Sequence, residues 1–131
     1  LGIRQTRLLQ GEYVVTRDDV KSRRYFADSV CRGRDYYTPY RALLPKGIDN
    51  LIVAGRHYSV ESEAQKLSRE IPPCMAQGEA AGVAVAVALE QNVALRDADV
   101  ATIQKRMRAQ GADPGDIPSA NARVENTAAA E

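Results

Sequence analysis

Hydrophobic and polar positions change period several times along this chain, and each change predicts an element. Residues 3 to 15, "IRQTRLLQGEYVV", place Ile, Thr, Leu, Tyr and Val around the turn "QGE", which predicts two short strands with Gly11 at the bend. Thr16 followed by Asp18 and Asp19 predicts an N-cap and acidic first turn for a brief helix through Arg24. An extended piece is expected over Ala27 to Cys31. "GRDYYTPY" reads as a loop, because Gly33 and Pro39 punctuate it and the residue before proline is pushed out of helical space. "YRALLP" reads as extended, and Pro45, Gly47, Asp49 and Asn50 mark a turn.

"LIVA", residues 51 to 54, is a continuous apolar run with two β-branched members, the pattern of a strand buried on both faces in a parallel sheet. It ends in Gly55, Arg56 and His57. A short helix is expected from Glu61 to Ser68, and a long one from Pro73 to Gln91 through "EIPPCMAQGEAAGVAVAVALE", whose side chains are nearly all small. Its prolines suit a first helical turn, where a missing N–H costs nothing. Gly78, Ala81, Gly82, Val85 and Ala86 fall on adjoining ridges and predict close backbone approach to a sheet. A strand, a glycine turn, a connection and a helix make half of a βαβ unit. "DVATIQKRMRAQ", residues 99 to 110, spaces Val100, Ile103 and Met107 helically, with Gly111 as its stop. Beyond it, residues 112 to 131 lack periodicity and read as a mobile tail.

The longest uncharged apolar run, Ala80 to Leu89, has about half of the roughly 20 residues needed to span a bilayer, so it belongs to a core helix. Composition narrows the classes further. With 44% apolar residues and a formal net charge of +1, neither sign gathered into a block, the chain reads as globular. No nucleic acid and no membrane partner are expected. Cys31 and Cys74 have no metal-type spacing and make no disulfide scaffold, so no metal site is expected and a reducing, cytoplasmic setting is. The first residue is leucine, which reads as a fragment or a processed piece.

The candidate chemistry lies where the predicted strand ends and the long helix begins. A helix N-terminus offers unpaired N–H groups and the positive end of the macrodipole to an anion or a developing negative charge. In open α/β sheets, ligands gather beyond the C-terminal strand ends, where "AGR" stands.

"GIRQTRLLQGEYVVTRDDV", "TPYRALLP", "DNLIVAGRHYS" and "SREIPPCMAQGEAAGVAVAVAL" resemble, in order and spacing, the C-terminal part of FAD-dependent oxidoreductases of the two-dinucleotide-binding, fumarate-reductase-like superfamily. The resemblance covers residues 1 to 111. It implies an α/β fold: the C-terminal part of a Rossmann-like FAD-binding domain over 49 to 111, with substrate-domain strands and a return loop over 1 to 48. It also implies FAD as cofactor, a small organic substrate, and hydride transfer between that substrate and the flavin. In that family the last long helix points its N-terminus at the pyrimidine end of the isoalloxazine ring. The resemblance therefore places Pro73, Cys74 and Met75 beside the flavin, with the Cys74 and Met75 amides as donors, and Gly55 and Arg56 beside its ribityl or pyrophosphate part.

The resemblance also singles out Arg69 and His57 as catalytic candidates. Arg69 reads either as a cation facing flavin or substrate or as a salt bridge to Glu63 or Glu70; His57 reads as an acid or base or as a hydrogen-bonded bystander. Tyr36, Tyr37, Tyr40 and Arg41 are expected on the substrate side, with Tyr40 and Arg41 as binding residues, and a structural tyrosine cluster is the competing reading. Gln5 stands where the family commonly has glutamate, and Glu79 where it commonly has glutamine. No GxGxxG loop occurs in the 131 residues, so the implied partner is an N-terminal Rossmann portion or subunit that carries one. The alternative is a non-catalytic interaction or structural module that docks on a larger partner.

Overall fold

The computed structural model describes residues 4–5, 7–34 and 36–125. Six helices and strands set the frame: α1 (Arg17–Lys21), β1 (Ser29–Arg32), β2 (Tyr37–Pro39), α2 (Ser62–Ser68), α3 (Ile71–Gln91) and α4 (Val100–Ala109). Short 3-10 turns cover Tyr40–Ala42 and Leu95–Asp97. The fold is mixed α/β, with α3 as its axis.

The helices form where their periodicity and caps place them. Asp99 accepts a bond from the Thr102 amide at 3.1 Å to start α4, and Gly111 follows it at φ +90°, a conformation that glycine adopts without strain. Asn92, at φ 53°, stops α3 the same way, with its N–H on the Ala88 and Leu89 carbonyls. The side of α3 that packs is Ala80, Val83, Ala84, Val87 and Ala88, set against β1 and against Ile103 and Met107 of α4. Alanines at every fourth position bring these backbones close. Gly78 and Gly82 do not serve this face: a Cβ built on either would meet nothing within 4 Å.

The strands differ more from expectation. Residues 51 to 54 form no strand; Leu51 is exposed and Ile52 to Ala54 are half-buried, held by Val53 N–H on the Leu43 carbonyl at 2.8 Å. A strand needs a ladder of bonds to a neighbour, and the described residues supply only this single bond there. Around "QGE", the two expected strands reduce to single bridges, Gly11 with Pro45 and Val15 with Val60; residues 1–3 and 6 lie outside the described residues. "YTP", expected within a loop, is instead β2, antiparallel to β1. Pro39 is compatible because it closes the strand, where an absent N–H breaks no ladder. "YRALLP" is not extended but begins with the 3-10 turn, Leu43 N–H on the Tyr40 carbonyl at 2.9 Å.

Where a mobile tail is expected, residues 112 to 125 pack back on the hairpin. The Ser29 hydroxyl donates to the Pro114 carbonyl at 2.8 Å, and the Tyr25 hydroxyl to the Asp116 carbonyl at 2.8 Å. Few large apolar groups are needed, because the docking runs through backbone carbonyls. Residues 126–131 lie outside the described residues.

α1 ends at Lys21, short of Arg24, yet its start is the best-knit polar cluster in the chain. Thr16 and Asp19 form a reciprocal capping box, and the buried Asp19 carboxylate also accepts from Tyr13 Oη at 2.9 Å and Arg24 at 3.1 Å. Burial pushes the Asp19 pKa up, but the bonds from Thr16, Tyr13 and Arg24 outweigh it and hold the group below its ordinary 3.8. A carboxyl depressed on folding stabilises above its unfolded pKa and loses that contribution as pH falls through the folded value. Urea unfolding should therefore show a midpoint that is flat near neutrality and declines below about pH 4. Asp19→Asn should lower stability by about 1–3 kcal/mol at neutral pH and flatten the acid decline; parallel acid limbs in the two proteins would discount the cluster.

Candidate functional site

The turn after "LIVA" is fixed from three directions. Gly55 takes φ +100°, and the Tyr58 N–H closes the turn on the Gly55 carbonyl at 3.1 Å. The Gly55 N–H donates to Gln77 Oε1 of α3 at 2.8 Å. Gln65 Nε2 of α2 donates to the Arg56 carbonyl at 3.0 Å, and the Leu9 N–H to the His57 carbonyl at 3.0 Å. Each turn residue is thus tied to a different segment. The Arg56 and His57 side chains are left pointing outward, both exposed.

Sequence reasoning missed Gln65 and Gln77, which are 1% and 0% exposed. A signal was present: Gln77 shares its helix face with Ala80, Ala84 and Val87, and an amide at a core position must be spent on a hydrogen bond.

Beside this turn, Gly55, Arg56, His57, Arg69, Ile71, Cys74 and Met75 line one cleft of about 550 Å³. Six of the nine expected site residues meet there, from the turn, the end of α2 and the start of α3. Pro73 faces the other side of the helix, toward a second concavity lined by Pro72, Glu70 and Tyr36. Tyr40 and Arg41 are not brought to the cleft. Tyr40 is buried with its hydroxyl donating to the Leu95 carbonyl at 2.7 Å, and Arg41 pairs with Asp28 at 3.1 Å over the Tyr13 ring. Tyr37 bonds to Ser119, its hydroxyl accepting from the Ser119 N–H at 2.8 Å.

The electrostatics of the cleft are positive. Arg56 and Arg69 form no ion pair among the described residues. Glu63, one partner open to Arg69 on sequence grounds, is taken by Lys66 at 2.7 Å. α3 directs the positive end of its dipole here; Glu70 stands at the N-cap without a side-chain bond to the helix, and the first turn holds no acid. The donors differ from expectation. Cys74 N–H closes the helix's own first bond on the Glu70 carbonyl at 3.2 Å, so neither it nor Met75 is at the open end. Pro72 and Pro73 have no N–H, which leaves the Glu70 and Ile71 amides. Burial raises the Cys74 thiol pKa against the opposing pull of Arg56, which disfavours the thiolate.

No described helix is long and apolar enough to cross a membrane, and among the described residues no group of three or more His, Cys, Asp or Glu is placed to hold a metal.

No curated protein and no solved structure matches the chain. A family model described as FAD dependent oxidoreductase matches residues 33–107, more than half of the chain, spanning the turn, the cleft, all of α3 and most of α4. With FAD as the cofactor of that family, the chain belongs to the FAD-dependent oxidoreductases.

Proposed function

We propose that the chain is the C-terminal segment or a small subunit of an oxidoreductase of the two-dinucleotide-binding, fumarate-reductase-like superfamily, completing a cytoplasmic flavin site for hydride transfer from or to a small organic substrate. The observation that carries this reading is the convergence of Gly55, Arg56, His57, Arg69, Cys74 and Met75 on one cleft. Its volume of about 550 Å³ falls within the usual range for a cofactor or ligand pocket.

The residues present fit the cofactor. A Cβ on Gly55 would come only to 3.8 Å of His57, so the backbone there is open to close approach. Two unpaired guanidinium groups and the start of α3 suit an electron-rich ring edge that gains negative charge. When bound, FAD supplies the hydride-transfer chemistry. Arg69 orients an anionic substrate or stabilises charge beside it, Arg56 holds the turn's outer edge against the cofactor, and His57 is placed to exchange a proton at the cleft rim.

A Rossmann portion carrying GxGxxG would complete the site. Its seat is the outer face of α3, where Ile71, Met75, Gly78, Gly82, Val85 and Leu89 recur at alternating steps of four and three residues and all are exposed. Ile71, Met75 and Leu89 are each at least 70% exposed, an apolar seam of the kind that marks an interaction surface.

Purified alone, the chain should be colourless with added FAD; purified with the Rossmann portion, it should carry flavin in one-to-one ratio. Stoichiometric flavin on the isolated chain would overturn the shared-site reading. Stable docking with no flavin would favour the non-catalytic module.

A further inference from the structure

Next to the cleft lies a smaller pocket of about 230 Å³, lined by Arg4, Gln5, Arg7, Leu8, Arg56, His57 and Gln65. Arg56 and His57 line both cavities, so the two form one continuous surface. We propose that Arg4, Arg7 and Arg56 form an oxyanion subsite, taking the phosphate or carboxylate group of a ligand whose ring system occupies the larger cleft. The inference rests on the flavin-site reading above and adds to it a second set of binding residues and a ligand charge.

Three observations support it. The first is where unpaired arginines lie. Arg24, Arg32, Arg41, Arg96, Arg106, Arg108 and Arg123 all sit in ion pairs. Arg4, Arg7, Arg17, Arg56 and Arg69 have no ion pair among the described residues, and all of these but Arg17 line the two adjoining cavities.

The second is that the pocket is built from inside. One amide nitrogen, Gln65 Nε2, donates to both the Arg4 carbonyl at 3.4 Å and the Arg56 carbonyl at 3.0 Å. This side chain is almost wholly buried, and its Oε1 has no partner. A buried amide spent on two carbonyls holds the two arginine backbones side by side, and the Leu9 bond to the His57 carbonyl fastens the next residues in register. The third is size: about 230 Å³ is too small for a ring system beside a chain but ample for one oxyanion group. Guanidinium groups recognise such oxygens by paired, charge-assisted hydrogen bonds.

The anion has two chemical sources, FAD's own pyrophosphate or an anionic substrate. Arg4→Gln, Arg7→Gln and the double variant would be compared with Arg17→Gln, which removes an arginine lining neither cavity. Each would be made in the FAD-loaded assembly. One arm measures FAD retention during dialysis. The other titrates inorganic phosphate, pyrophosphate and succinate into the loaded protein and follows the flavin absorbance spectrum at low and high salt.

If the subsite holds FAD's pyrophosphate, the double variant should lose FAD about 10- to 100-fold more readily, with little response to added anions. If it holds the substrate's anion, FAD retention stays constant, and a salt-sensitive spectral shift with at least one probe weakens about tenfold or more in the double variant. Normal FAD loading with wild-type retention and unaltered anion response in the double variant would overturn the subsite while leaving the flavin reading intact. Failure of the wild-type assembly to load FAD would overturn the reading and the subsite together.

Discussion

Replacing Gly82 by leucine, alone or with Gly78→Leu, is expected to abolish FAD incorporation into the assembled oxidoreductase while leaving the chain's own helix intact. The two effects have opposite signs because they arise on different surfaces. Within the chain, neither glycine meets a neighbour within 4 Å of a built Cβ, so a side chain there displaces nothing. Leucine also removes the backbone entropy that glycine brings to a helix interior, a gain of roughly 0.5–1 kcal/mol per site. Far-UV circular dichroism of the variant chain should show equal or greater helix content.

At an interface the same change is costly. The seam from Ile71 to Leu89 carries large apolar groups at its ends and glycines at its middle, a profile that lets another backbone cross at Gly78 and Gly82. A leucine at the crossing holds the partner off the whole seam, and overpacking of even a well-formed contact costs about 1–3 kcal/mol. Flavin absorbance per chain after co-purification reads the result. Full FAD content in the double variant would move the docking surface elsewhere.

These glycines also show how far the sequence was legible. Their small size predicts close approach, and the helix they belong to forms over nearly the expected residues. The surface they face is a matter of tertiary context: alanines 80, 84 and 88 meet β1 and α4, while the glycines face outward. α2 and α4 were equally readable because short helices are set by local sequence, α4 with the added help of its Asp99 cap. "LIVA" was not, because a strand is defined by its neighbours, and Val53 finds one carbonyl rather than a ladder. β2 and the packed segment after Gly111 were missed for a related reason: both are held by long-range bonds, such as those of Ser29 and Tyr37 to residues 114 and 119.

The candidate site divides along the same line. Gly55, Arg56 and His57 of the turn and Arg69, Cys74 and Met75 around the helix start are brought together because two short motifs fix them. Tyr40 and Arg41 were placed on the substrate side through the resemblance, with no local motif to position them, and the structure spends both on internal contacts. Gln65 and Gln77 carry no catalytic signature, only that of an amide at a core position, yet they hold the turn on which Arg56 stands.

Arg69→Met is expected to slow flavin reduction by substrate about 100-fold in the FAD-loaded assembly, the scale seen when one preorganised donor to developing charge is removed. The residue closes α2 as its C-cap, at φ −92° and ψ 5°, and the next residues start α3, so its position is set by two helices. It lines the cleft half-buried, and no ion pair among the described residues satisfies it. A salt-bridge role would require Glu63 or Glu70. Glu63 is on Lys66, and Glu70 makes no ion pair with Arg69. A half-buried cation left without a protein carboxylate is available to an anionic group arriving from outside. Arg69→Lys separates charge from shape: it keeps the charge and loses the planar fork, so it should recover part of the rate if charge suffices and little if paired hydrogen bonding is needed. Thermal unfolding of the variants should stay within about 1 kcal/mol of the parent, as expected for a side chain with few protein partners. Rates of flavin reduction unchanged in Arg69→Met, at matched FAD content, would remove Arg69 from the reacting cleft.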